Sequence, residues 1–190
     1  SMEVQSRDNW MKYLITEATN FGIPQIELWA HSARICKKIT DRTRIQTDSI
    51  YKAIYGGNNQ TSIEVEEENE DNAESKLLEI IPIKSNEYID EKALIIIHEA
   101  HLVNRSLNQS ELLRFGSGRL LEDIFKFLNL EKNNRKVICI GDPYSLSFGK
   151  NEDAAINTNT LSELFEGGIK HYRNPIEASE TNGISNLRYS

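Results

Sequence analysis

The sequence predicts one α/β domain built on a largely parallel sheet with helices packed against it. Three observations predict it. Ala93-Leu94-Ile95-Ile96-Ile97 and Val137-Ile138-Cys139-Ile140 are unbroken apolar runs, as in strands buried on both faces. Between them, within Gly118 to Asn129, Leu120, Leu121, Ile124, Phe125 and Leu128 recur at helical spacing, and strand, helix, strand is the crossover unit of a parallel sheet. Finally, 190 residues, of which 38% are hydrophobic and 27% charged, suit a single globular domain with its own core.

The remaining elements follow in chain order. Ser1-Met2 reads as the scar of a cleaved tag and carries no fold information. Asn9 to Phe21 places Trp10, Tyr13, Leu14, Glu17 and Ala18 at spacings of three and four, with Gly22 and Pro24 as stop signals. Ile26, Leu28 and Trp29 indicate a strand. Ser32 caps a helix over Ala33 to Thr40, and a short helix starts near Thr47 or Asp48 and includes Ile50, Ile54 and Tyr55. Gly56-Gly57-Asn58-Asn59 ends it as a loop. Ser62 to Val65 and Leu77 to Ile83 read as the arms of a protruding β-hairpin insertion, near 61–83, around an acidic stretch. The whole chain is taken as one domain with a tail at 174–190.

Composition excludes several classes. No apolar run approaches the roughly 20 residues that span a bilayer, and no basic-then-apolar leader opens the chain. Cys36 and Cys139 belong to no metal-ligand spacing; both sit in apolar segments and read as small core residues in a reducing cytoplasm. The net charge of −7 is concentrated in Glu64, Glu66, Glu67, Glu68, Glu70, Asp71 and Glu74, so the rest of the chain is near neutral. Such a run is usually a solvated loop.

Chemistry is expected where parallel strands end, because ligands of doubly wound sheets bind at the carboxyl ends. Ile97 is followed by His98-Glu99-Ala100-His101, and Ile140 by Gly141-Asp142-Pro143. Carboxylates after apolar strands suit a Mg²⁺–nucleotide site, one holding the metal through its waters and another orienting an attacking water.

These residues carry a resemblance. Ile95 to Leu102 resembles the Walker B strand of RecD-like superfamily-1 DNA helicases, apolar residues followed by Asp-Glu-Ala. Gly141-Asp142-Pro143-Tyr144-Ser145-Leu146 resembles their motif III, Gly-Asp-Pro-x-Gln-Leu. Ala30 to Ile39 followed by Thr47 to Tyr51 is similar to motif Ia and its extension, and His171-Tyr172-Arg173 with Gly183-Ile184 and Leu187-Arg188 to the start of motif IV. The four lie in the family's order over nearly the whole chain. The resemblance implies motor domain 1A with a three-layer RecA-like P-loop NTPase fold, ATP and Mg²⁺ as the family's cofactors, and single-stranded DNA as partner. It implies Glu99 as the catalytic base, with Asp142 the remnant of motif III, and a nucleic-acid surface of Ser32, Arg34, Lys37, Lys38, Ser49 and Tyr51.

The departures are as informative. The phosphate loop, Gly-x-x-x-x-Gly-Lys-Ser/Thr, is absent; Ser6-Arg7-Asp8-Asn9 occupies its register, with Arg7 imitating the lysine's charge but no glycines to form a cradle of N–H groups. His98 stands at the metal-anchoring aspartate, and neutral imidazole is a poor ligand for Mg²⁺. Ser145 replaces the glutamine that reaches the γ-phosphate, and His31-Ser32-Ala33 replaces Pro-Thr-Gly. The family's phosphate-loop strand lies beside the position of Val137–Ile140. Residues 1–8 are too polar to supply it, so a strand near Gly168–Tyr172, another chain or upstream sequence is expected there.

The bland readings are a structural role for His98 and His101 rather than a metal site, a plain turn at Gly116-Ser117-Gly118, and an ordinary solvated face for Arg34, Lys37 and Lys38. The expectation is a vestigial or truncated helicase domain that binds no cofactor or metal and does not hydrolyse ATP. It serves as a single-stranded nucleic-acid-binding or scaffolding module of a larger DNA-processing protein. The alternatives are a fragment of an active helicase whose phosphate loop lies outside this chain, and a protein-interaction module using the acidic hairpin.

Overall fold

The computed structural model describes residues 2–56, 61–66, 75–147 and 149–170, with backbone alone for 2–6, 61–66 and 75–77. Two sheets organise it. In the first, β1 (Ile26–Ala30), β2 (Asp48–Ser49), β5 (Leu94–His98) and β7 (Lys136–Ile140) run parallel in the order β2-β1-β5-β7. In the second, β3 (Thr61–Glu66) and β4 (Ser75–Ile81) pair antiparallel, and β6 (Leu113–Phe115) adds to β4 in parallel.

The five helices are α1 (Met2–Asn20), α2 (Ala33–Thr43), α3 (Ile50–Ile54), α4 (Leu120–Leu128) and α5 (Thr158–Leu164). The alternation of β5 explains their placement, because successive side chains of a strand face opposite ways. Leu94 and Ile96 join a core with Met11 of α1, Cys36 and Ile39 of α2, and Leu28 and Ala30 of β1. Ile95 and Ile97 join the other with Trp29, Ile50 and Ile54 of α3, and Ile124 and Phe127 of α4. All five residues of β5 are buried; the strand is apolar from Leu94 to Ile97, ends in the buried His98, and is covered by helices on both faces.

Several boundaries differ from the sequence-based expectations. α1 begins at Met2 rather than Asn9, because no Gly or Pro interrupts residues 3–8. Gly22, at φ 73°, ends it, with the Ile23 N–H closing on the Ala18 carbonyl at 3.0 Å. α2 runs one turn past Thr40, to a left-handed cap at Arg44. The residues expected to start α3 instead lengthen the sheet as β2, and Ser49 caps the helix. The acidic residues at 67–74 and the motif IV residues from His171 onward lie outside the described residues. Cys36 and Cys139 are both free thiols.

One expectation is corrected by the position of β7. It is not covered on both faces like β5; Val137 to Ile140 are only half-buried. The strand lies at the end of the sheet, and among the described residues no strand pairs with its outer edge. Gly168 to Lys170 form no ladder with it, and the remainder of that expected strand falls outside the described residues.

Arg135, just before β7, is buried and donates to four backbone carbonyls: Asn86, Ile89, Asp90 and Leu128. It ties the end of α4 to the loop that leads into β5. Arg135→Leu strands these acceptors, each worth about 1–3 kcal/mol when left buried and unpaired. The variant is expected to lose at least about 2 kcal/mol of stability, seen as a lower urea midpoint with an unchanged slope.

Candidate functional site

The register of the central ladder brings the expected residues together. Ile97 pairs with Cys139 and His98 with Ile140, so Glu99 and Gly141-Asp142 leave neighbouring parallel strands at the same end. Gly141 is needed by this approach: a Cβ there would lie 2.7 Å from Ile156 Cγ2 and 3.0 Å from the His101 backbone nitrogen. The Asp142 backbone N–H points to His101 Nδ1 at 3.4 Å. Its carboxylate accepts from the Tyr144 N–H and the Ser145 hydroxyl, both at 2.9 Å. Ser145, at the glutamine position of the resembled motif, is thus engaged with Asp142.

Glu99 holds a left-handed backbone, φ 57° and ψ 42°. For a residue with a Cβ this conformation costs about 1–3 kcal/mol and must be imposed by its surroundings. The surroundings come from α1. Arg7 Nη1 lies 3.1 Å from Glu99 Oε2. The next residue, Asp8, is buried and accepts from Arg42 of α2 through Nε at 2.8 Å and Nη2 at 3.1 Å.

His98 completes this network. Its side chain is fully buried, with Nε2 3.3 Å from Asp8 Oδ1 and Nδ1 3.7 Å from Glu99 Oε1, but neither nitrogen has the alignment of a hydrogen bond. His101 Nδ1 lies 3.5 Å from Glu99 Oε2. Burial lowers the pKa of both imidazoles, outweighing the neighbouring carboxylates that favour protonation. With both imidazoles neutral, the Arg7–Glu99 and Arg42–Asp8 pairs balance each other, two guanidiniums against two carboxylates, while the Asp142 carboxylate is met by the Tyr144 N–H and the Ser145 hydroxyl.

This donor set does not suit Mg²⁺–ATP. The helix α1 runs unbroken through the register of the phosphate loop, so its backbone N–H groups from that stretch are directed along the helix rather than into an anion cradle. A guanidinium already neutralises Glu99. His98, an imidazole, stands where the resembled motif has an aspartate, and neutral imidazole is a poor ligand for Mg²⁺. Among the described residues, no group of three His, Cys, Asp or Glu side chains is arranged to hold a metal ion.

The second set of expected residues lies at the carboxyl ends of β1 and β2, which pair at Ala30 and Ser49. Ser32 and Ser49 act as helix caps, accepting from Ile35 N–H at 3.4 Å and Lys52 N–H at 3.1 Å. Arg34, Lys37 and Lys38 are exposed on one face of α2. Tyr51 is half-buried, its ring 5.6 Å from His31 and 5.0 Å from Phe115. Asp8 and Arg42 gave no signal in the sequence: they are 34 positions apart and belong to no motif.

No protein-family model, curated protein or solved structure matches the chain.

The pKa shift at His98 has a testable consequence. Its folded pKa lies below the ordinary 6.5, so as pH falls through that value the unfolded chain binds a proton that the native chain resists. Stability is therefore full above about pH 6.5 and declines below it, by at most about 1.4 kcal/mol per pH unit for one group. His98→Asn should flatten the fall between pH 6.5 and 5 relative to the parent chain in urea melts. An unchanged slope would show that His98 is not the group responsible.

Proposed function

We propose that this chain is a degenerate RecD-like helicase motor domain that no longer hydrolyses ATP and serves as a single-stranded nucleic-acid-binding module of a larger DNA-processing protein. One observation carries the reading. Two adjacent parallel strands deliver Glu99 and Asp142 to one end of the sheet, as a motor ATPase requires, yet Arg7 occupies the Glu99 carboxylate from within the chain. The strand order β1-β5-β7 is compatible with a RecA-like layout in which the phosphate-loop strand would lie beyond β7.

Phosphoryl transfer depends on positioning and on cations that neutralise developing charge. Here the cation is a guanidinium fixed to the base itself. Nucleic-acid binding asks less of the site, namely exposed cations along a surface and rings for bases. Arg34, Lys37 and Lys38 are exposed and in no ion pair among the described residues. They lie on the helix that opens beside the Tyr51 aromatic group.

Two measurements test this reading. With Mg²⁺ and ATP, the purified chain should show no turnover above background; turnover abolished by Glu99→Gln would overturn the inactive assignment. The chain should bind a fluorescent single-stranded 12-mer at low salt, and K37A/K38A should weaken that binding and reduce the logarithmic salt slope by up to about 1.4, at roughly 0.7 per phosphate on a single strand. Failure to bind any oligonucleotide at low salt would end the nucleic-acid assignment.

A further inference from the structure

A cavity of about 220 Å³ lies beside Tyr51, and its lining includes Tyr51, Tyr55 and Phe115 together with Asn108, Gln109 and Ser110. We infer that it receives one unstacked base of a single-stranded nucleic acid. The inference rests on the nucleic-acid reading above and names the part of the strand that the site would read.

The cavity is built rather than incidental. Its three rings pack as a group, with centroids 5.0 Å apart for Tyr51 and Phe115, 5.3 Å for Tyr55 and Phe115, and 5.7 Å for Tyr51 and Tyr55. The Tyr55 hydroxyl donates to the buried Asp123 carboxylate at 2.7 Å, which also accepts from the Ser117 N–H at 3.0 Å. Burial and that bond push the Tyr55 phenol pKa up, and the bond to Asp123 anchors the end of the ring.

The turn that makes this possible contains two left-handed glycines. Gly116 has φ 50°, and a Cβ there would meet Asp123 Oδ2 at 2.3 Å; Gly118 has φ 82°, and a Cβ would meet Leu107 Cδ1 at 2.7 Å. Only glycine satisfies both the conformation and the approach. The Asn108 N–H donates to the Gly118 carbonyl at 2.7 Å, pinning the polar wall to the same turn.

The lining decides the class of ligand. A volume of 220 Å³ falls below the roughly 300 Å³ at which pockets for drug-sized molecules begin. It therefore suits a single ring system rather than a whole nucleotide. Aromatic walls favour a flat, polarisable ring, and carboxamides carry both donors and acceptors, which match the edges of a base.

A cation stands next to it: Arg114 Cδ lies 3.2 Å from where a Gly118 Cβ would be, and its Nε is buried with no hydrogen-bond partner among the described residues. His31, whose ring meets Tyr51, directly precedes the basic helix α2.

The test compares three fluorescent DNA 12-mers by anisotropy: oligo-dT, a wholly abasic strand, and an abasic strand carrying one central thymine. A base cavity predicts that the single thymine strengthens binding about tenfold over the abasic strand, within the range measured for base–aromatic stacking. Tyr51→Ala should make those two strands equal while leaving the salt slope unchanged, and Tyr51→Phe should keep the difference. The parent chain already decides the matter if the alanine variant does not fold. Equal binding of the two abasic-backbone strands by the parent chain overturns the cavity's role but leaves phosphate binding standing. Absence of binding even to oligo-dT at low salt removes the nucleic-acid reading itself.

Discussion

Charge at the carboxyl end of β5 must be answered from within the chain, and α1 supplies the answer. Glu99 and His98 sit where the central sheet opens, and the side chains that meet them, Arg7 and Asp8, are consecutive on one helix. Asp8 in turn is held by Arg42 of α2. The three elements are locked by a network that is largely out of solvent, where an unpaired charge is expensive. This adds to the apolar contacts of α1, in which Met11 and Ala18 are buried and Leu14 and Ile15 pack against the same core. The same contacts that position the helix also consume the carboxylate that a nucleotide site would use.

Under the proposed function, the site is a catalytic arrangement kept as structure. Neighbouring strand ends, a glycine allowing their close approach and a carboxylate on each are present. What differs is the partner of the carboxylate. A metal with its waters is exchangeable; a guanidinium on a packed helix is not. Charge neutralisation of Glu99 is here part of folding.

Much of this was legible in the sequence, and the limits are physical. The runs at Ala93–Ile97 and Val137–Ile140 announce parallel strands, and the first of them is buried on both faces. Their polar successors, His98-Glu99 and Gly141-Asp142, could be placed together once the strands were parallel neighbours. The elements that escaped are short: β2 has two residues and β6 three, too few for periodicity to register. β7 looked like a central strand because hydrophobicity does not reveal sheet order. Asp8 and Arg42 escaped because pairing between distant helices leaves no local pattern, and the cavity beside Tyr51 because it is assembled from α3, a loop and a strand of the second sheet.

Arg135 has a mechanical consequence. Its guanidinium gathers carbonyls from the loop at Asn86 to Asp90 and from Leu128 at the end of α4. Neither segment can separate from the other without breaking several of these bonds at once. The approach to β5 and the tail of α4 therefore share one opening event, with amides across some forty residues exchanging with solvent at a common rate rather than fraying piecemeal. A single side chain thus sets the size of the unit that yields first or holds longest on this side of the sheet.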